Sequence, residues 1–185
     1  MFGPELRPLV LDVHFTPLSL TNNGHTIEHE YEPGSSLTID GIVYELQQFH
    51  FHTYSEHTVG GQRYPMEIHL VFKNAAGQLA VIGMLYTIGQ HNVFLASLGD
   101  LPRHEGTTLQ STAPINVAHG LTSSYVYYTY EGSLTTPPCS EIVTWIVLKG
   151  VAEMSEDQFR AFNGILGNNF RPVQQRDPTF VVRSR

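Results

Sequence analysis

Gln48-Phe49-His50-Phe51-His52 is the stretch from which the fold of this 185-residue chain can be read. Aromatic and polar residues alternate there with a period of two, the pattern of a strand with one face in a core. Phe49 and Phe51 therefore point inward, while Gln48, His50 and His52 share the opposite face. Two imidazoles on one side of a strand form a two-ligand claw. Glu67-Ile68-His69-Leu70-Val71 repeats the alternation after a polar, glycine-containing stretch that can return the chain antiparallel to the first strand. That pairing carries His69 toward His50 and His52.

Three neutral imidazoles suit a borderline-soft divalent cation, and a three-ligand set leaves the fourth tetrahedral position to water, as catalytic rather than structural Zn2+ requires. The competing explanation is a group of ordinary strand histidines with hydrogen-bond partners. Gln48 and Glu67 favour the metal. They share faces with His50 and His69 and can accept the second ring N–H that fixes a ligand's tautomer.

The surrounding chain reads as sheet. Short segments at 25–31, 37–39 and 42–53 are separated by Thr21-Asn22-Asn23-Gly24, Pro33-Gly34-Ser35-Ser36 and Asp40-Gly41. Further strands are expected at 69–73, 79–86, 125–130 and 142–149, with a turn at Asn74-Ala75-Ala76-Gly77-Gln78. Ser155-Glu156-Asp157-Gln158 is a capping signal for a helix through Phe162, and the tail after Asn163 is expected to follow the surface. The fold class is mainly β: one domain, residues 1–185, around a large, mostly antiparallel twisted sheet with a few short peripheral helices.

At 20.7 kDa the chain is long enough to bury a core without metal or disulfide support, so a metal would serve reaction rather than folding. Ten basic against seventeen acidic residues, a formal charge of -7, argue against a nucleic-acid or anionic-membrane surface. No apolar run has the length of a membrane span, and the start lacks the features of a signal peptide. Cys139 is the single cysteine and has no intrachain partner.

A second chemical cluster is Tyr130-Glu131-Gly132-Ser133-Leu134-Thr135-Thr136-Pro137-Pro138-Cys139. The prolines exclude an ordinary central strand and present Thr135 and Thr136 from a stiff loop. A hydroxyl beside a metal-bound hydroxide can accept its proton while giving its own hydrogen to a carboxylate, for which Glu56 is the candidate. Without a metal, the same strip is a proline-stiffened surface turn.

With these strings in place the chain resembles the alpha-class carbonic anhydrases. The likeness is carried by Asn22-Asn23-Gly24-His25-Thr26, Leu46-Gln47-Gln48-Phe49-His50-Phe51-His52, Ser55-Glu56-His57-Thr58, Pro65-Met66-Glu67-Ile68-His69-Leu70-Val71, Leu79-Ala80-Val81-Ile82-Gly83 and Glu131 to Cys139, in the family's order over nearly the whole chain. The resemblance implies that His50, His52 and His69 hold Zn2+, supported by Gln48 and Glu67, and that Thr135 and Glu56 orient a zinc-bound hydroxide. It implies reversible hydration of carbon dioxide to bicarbonate and a proton, a lyase reaction. Thr136 falls near the substrate and product site, and His25 matches the proton shuttle. Val71, Val81, Leu134, Val143 and Trp145 match the apolar side of the pocket. Individually, each of these five is more simply explained as core packing. His57 looks like the histidine of a structural Glu-His pair and is not counted as a fourth ligand.

The resemblance also marks a departure. Family members usually begin with a further segment rich in aromatic and polar residues, and in bacterial and extracellular members a cysteine there pairs with one at the position of Cys139. The chain is therefore expected to be an N-terminally shortened, bacterial or extracellular-like member. Its natural relative is expected in the periplasm or secreted, with the present chain a shortened, cytoplasmically expressed form. Carbon dioxide or bicarbonate is the expected small-molecule partner, and open edge strands raise the expectation of a homodimer. Two other functions compete: a zinc hydrolase of small activated esters, and a carbonic-anhydrase-related binding domain without catalysis.

Overall fold

The alternation read at 48–52 lies at the end of a long strand near the middle of an 11-stranded sheet. In the computed structural model, which describes residues 8–175 and 182–183, strands β1 (Val10–Asp12), β2 (Thr16–Asn22), β3 (Ile27–Glu30) and β4 (Ser36–Ile39) lead into that strand, β5 (Ile42–His52). The outermost residues of the expected 1–185 domain lie outside the described residues. A separate hairpin of β6 (Thr58–Val59) and β7 (Gln62–Arg63) follows, then β8 (Met66–Lys73) and β9 (Leu79–Ile88). Helix α1 (Val93–Ser97) precedes β10 (Thr108–Ile115). The order continues with β11 (Tyr127–Gly132), β12 (Val143–Met154), helix α2 (Glu156–Leu166) and β13 (Val182–Arg183).

Across the sheet the strands run β10-β2-β3-β5-β8-β9-β12-β11-β13, and β1 and β4 pair beside the first half of β5. Among the described strands every pairing is antiparallel except that of β9 with β12. This is the mainly β, single-domain architecture with short peripheral helices that the sequence predicts.

One irregularity decides which way the histidines face. On β5, Leu46 opposes Phe72 of β8, yet Gln48 opposes Val71, so Gln47 is an extra residue in the ladder. Tyr44 and Leu46 are buried before this bulge, and Phe49 and Phe51 are buried after it. With strict alternation Leu46 would share the face of His50 and His52. Phe49, Phe51, Ile68, Leu70 and Phe72 are all fully buried. At about 1.5–3 kcal/mol each, their burial holds this register against slippage. Helix α2 covers the same face, with Phe162 4.6 Å from Phe51 between ring centroids.

Several boundaries differ from expectation. β3 begins at Ile27 rather than 25, because the Asn23 side chain accepts the N–H groups of His25 and Thr26 at 3.0 and 2.9 Å and holds them in a turn. β8 starts earlier, at Met66, and β9 and β12 run on to Ile88 and Met154, because their shared parallel ladder continues to those residues. β2, β10 and α1 were not anticipated. β2 does alternate, with Leu18 and Leu20 inward, but Pro17 interrupts its strand signature and faces Pro114 of β10. Helix α2 has the predicted capping box between Ser155 and Gln158, but continues past Phe162 because Ile165 and Leu166 prolong its apolar stripe.

Candidate metal centre

In the β5–β8 ladder His50 opposes His69 and His52 opposes Glu67. The three rings stand 5.1, 5.2 and 4.6 Å apart between centroids. One ligand nitrogen from each lies within 4.8 Å of the others. The sequence spacing therefore does bring the expected triad to one point.

Each ring is turned by a partner on its outer nitrogen. Gln48 Oε1 lies 2.7 Å from His50 Nδ1, and the Asn169 carbonyl lies 3.1 Å from His52 Nδ1. Glu67 Oε1 lies 3.0 Å from His69 Nε2. These contacts direct His50 Nε2, His52 Nε2 and His69 Nδ1 inward. His52 Nε2 is buried without a hydrogen-bond partner, as suits a nitrogen that ligates rather than hydrogen-bonds. Three convergent imidazole nitrogens with a buried, unsatisfied member fit a zinc-type divalent cation.

The electrostatics prepare two of the ligands. Burial, reinforced by the neighbouring imidazoles, holds the pKa of His50 well below the usual histidine range. Burial also pushes His52 down to about 4, with His69 adding to the effect and Glu56 opposing it. At neutral pH both rings are uncharged donors. For His69, burial acts downward but Glu67 outweighs it and raises the pKa.

Glu67 is the hub of the support. Its burial favours the neutral acid, yet His57 and His69 outweigh this and keep the carboxyl well below the usual carboxylate range. Oε2 accepts the main-chain N–H groups of Glu56 and His57, both at 2.9 Å, and Oε1 meets His57 Nδ1 at 2.6 Å. Gly83 makes room for it: a Cβ there would sit 2.6 Å from Glu67 Oε1. His57, Glu67 and His69 form a second cluster of potential ligands. Both nitrogens of His57 are committed, however, the second to the Tyr130 hydroxyl at 2.6 Å. His57 thus braces Glu67, in keeping with its exclusion from the ligand set.

The five apolar residues singled out in the sequence do gather. Val81, Val143 and Trp145 form a buried cluster distinct from the main core, with Val71 and Leu134 packed against it. The Trp145 ring stands 4.8 Å from that of His69. On the polar side, a cleft of about 770 Å³ is lined by His25, His50, His52, Glu56, Thr135 and Thr136, among others. His25 is exposed at this cleft, beside a turn.

One expected contact is not made. Glu56 Oε1 accepts the Arg171 N–H at 2.7 Å, but Glu56 Oε2 is buried without a hydrogen-bond partner, so the bond anticipated from Thr135 is open. The loop is anchored at Ser133 instead, whose carbonyl accepts from Trp145 Nε1 at 3.0 Å and whose hydroxyl lies 3.2 Å from Arg171 Nη1. The tail expected at the surface in fact enters the site through Asn169 and Arg171. Their partners lie more than a hundred residues back, at His52 and Glu56. The sequence held one hint, the helix-stopping Gly167 followed by two asparagines.

Three imidazoles sunk in one face of a sheet, between an apolar wall and a hydroxyl-bearing loop, define a mononuclear metalloenzyme for a small molecule. The family described as eukaryotic-type carbonic anhydrase matches residues 2–185. A carbonic anhydrase from Nostoc sp. is 40% identical over 178 residues, covering 95% of this chain and 67% of the relative. A hyperthermostable carbonic anhydrase from a hydrothermal vent chimney superposes with a TM-score of 0.92 at 41% identity, over 98% of this chain and 82% of the other. The alpha-carbonic anhydrase of Thermovibrio ammonificans, solved with the inhibitor sulfanilamide, gives 0.93 at 36% identity, over 100% and 81%. The chain belongs to the alpha-class carbonic anhydrase family.

Proposed function

We propose that this chain catalyses the reversible hydration of carbon dioxide to bicarbonate and a proton, with zinc held by His50, His52 and His69. The observation that carries the reading is the convergence of three imidazoles, each oriented by a partner on its outer nitrogen, beside the separate apolar cluster. Zinc supplies a water acidified toward about 7 as the nucleophile.

The chain's own residues supply the rest. Val71, Val81, Leu134, Val143 and Trp145 offer an uncharged substrate a place without competing hydrogen bonds. Thr135, once its hydroxyl hydrogen is accepted by the open Oε2 of Glu56, directs the attacking lone pair. Thr136 stands in the same cleft, within the space the product leaves by. His25 carries the released proton from the cleft to buffer, a task suited to an imidazole near neutral pH. The same reading makes the protein a bacterial or extracellular-like member of the family, whose natural relative works in the periplasm or outside the cell.

The inert-domain alternative is disfavoured because all three ligand positions are histidine and all three face inward. Metal stoichiometry combined with stopped-flow carbon dioxide hydration tests the proposal. One zinc per chain is expected, with activity lost on chelation and restored by zinc. A fully loaded protein that hydrates no carbon dioxide refutes it, and faster turnover of an activated ester than of carbon dioxide transfers the site to the hydrolase reading.

A further inference from the structure

We infer that the side-chain amide of Asn169 is a positioning group that fixes the His25 turn relative to the metal ligand His52. The inference rests on the reading of His25 as the proton carrier. Asn169 lies just beyond α2 and uses every polar atom it has. Its main-chain N–H donates to the Thr53 carbonyl at 3.0 Å, and its main-chain carbonyl accepts from His52 Nδ1 at 3.1 Å. Its Oδ1 accepts the Thr53 N–H at 2.8 Å. Its Nδ2 donates to two carbonyls, those of His25 and Phe51, each at 3.0 Å.

The residue is thereby divided by function. Its backbone serves the ligand strand, and its amide NH2 reaches across to the turn that carries His25. That turn needs an external tie, since His25, Gly24 and Asn23 are all exposed. Asn23 closes the turn only onto itself. The flanking residues are held separately: the Thr26 hydroxyl donates to the same Phe51 carbonyl at 2.6 Å and accepts the Phe51 N–H at 3.2 Å, and the Asn22 carbonyl accepts the Gly106 N–H at 2.8 Å. Asn169 is thus what links the His25 main chain itself to the strand of His52. Proton transfer through water falls steeply when donor and acceptor lose their fixed separation and orientation. A loosened turn lets the imidazole sample a wider volume and spend less time aligned with the cleft.

The two halves can be separated because a substitution leaves the main-chain carbonyl on His52 Nδ1. Asn169→Asp also keeps an acceptor for the Thr53 N–H, but sets an oxygen against the carbonyls of His25 and Phe51. Asn169→Ala removes the amide altogether. In the zinc-loaded full chain both variants are expected to retain one zinc and to lower buffer-saturated kcat by about fivefold or more, the scale of one or two lost hydrogen bonds. The loss in kcat/KM is smaller, and added imidazole as a diffusible proton acceptor restores kcat. Independently of turnover, amide hydrogen exchange at 24–26 accelerates by about fivefold or more in the zinc-free protein, the same lost bonds now read as local opening.

In a His25→Ala background, Asn169→Asp should produce no further loss of kcat. Unchanged exchange at 24–26 overturns the tie. An equal fall in kcat and kcat/KM accompanied by zinc loss also overturns it, because Asn169 would then act through the ligand. Accelerated exchange, with buffer-saturated turnover untouched by His25→Ala, keeps the tie and overturns the proton-carrier reading.

Discussion

Glu67→Gln alters a single buried atom pair, and its effect can be followed through the hydrogen bonds. Oε2 accepts two main-chain N–H groups at 2.9 Å, so the glutamine must place its carbonyl oxygen there; an NH2 would face two donors. The NH2 then occupies the Oε1 position, 2.6 Å from His57 Nδ1 and 3.0 Å from His69 Nε2. His57 can adapt by switching tautomer and donating from Nε2 to the Tyr130 hydroxyl. His69 adapts only by leaving Nε2 bare, which puts the proton on Nδ1, the nitrogen that faces the metal. Restoring the ligating tautomer means setting two donors face to face in place of the 3.0 Å contact with a carboxylate oxygen, and a buried donor left opposed in this way costs roughly 1–3 kcal/mol. The expected result is a zinc Kd raised about 10–100-fold at neutral pH. Competition with a chromophoric chelator measures the affinity, and nitrogen NMR of the metal-free protein reads the tautomer of His69. An affinity within about threefold of the parent, well short of the usual loss for such a partner, with His69 still protonated at Nε2, would refute the reasoning.

Gly83→Ala places a Cβ 2.6 Å from Glu67 Oε1 and is expected to destabilise the metal-free chain by about 1–3 kcal/mol while weakening zinc binding; denaturant midpoints measured in chelator, if unchanged, would remove the close-approach argument. His29 gives the fold an acid sensitivity of its own, because it is buried, with Nδ1 3.1 Å from the Ser19 N and 3.0 Å from its O. Burial lowers its pKa below 6.5, against the opposing influence of Ser19, Glu32 and Glu30. The unfolded chain therefore binds the extra proton first: the stability is fully present above about pH 6.5 and declines as pH falls toward the folded-state value. Urea titrations of the metal-free protein on either side of that pH should show a shallower loss for His29→Gln, and identical losses would assign the sensitivity to another group.

Legibility in the sequence followed the reach of each interaction. His50 and His52 could be read because alternation is a property of neighbouring residues, and His69 because an antiparallel return is the shortest way back. The roles of Gln48 and Glu67 rested on the same local geometry. β10 left no pattern, because nearly all of its side chains are exposed and its pairing with β2 makes it a strand. Asn169 and Arg171 were missed because their functions lie in single hydrogen bonds to distant residues, which no periodicity records. For Thr135 and Glu56 the residue types were legible, but the bond between them depends on how the proline-stiffened loop is seated, and that is set by Ser133, Trp145 and Arg171.

Gln47 joins two halves of β5 that are out of phase with each other. The leading half is counted on one parity and the ligand half on the other, so the side of the sheet that receives the imidazoles is set by how many residues separate Leu46 from Phe49. Removing or adding one residue in that gap would turn the chemistry into the protein interior and the aromatic rings into water, with no ligand changed. For redesign, the spacing at this splice is as much a determinant of catalysis as any side chain that touches the metal.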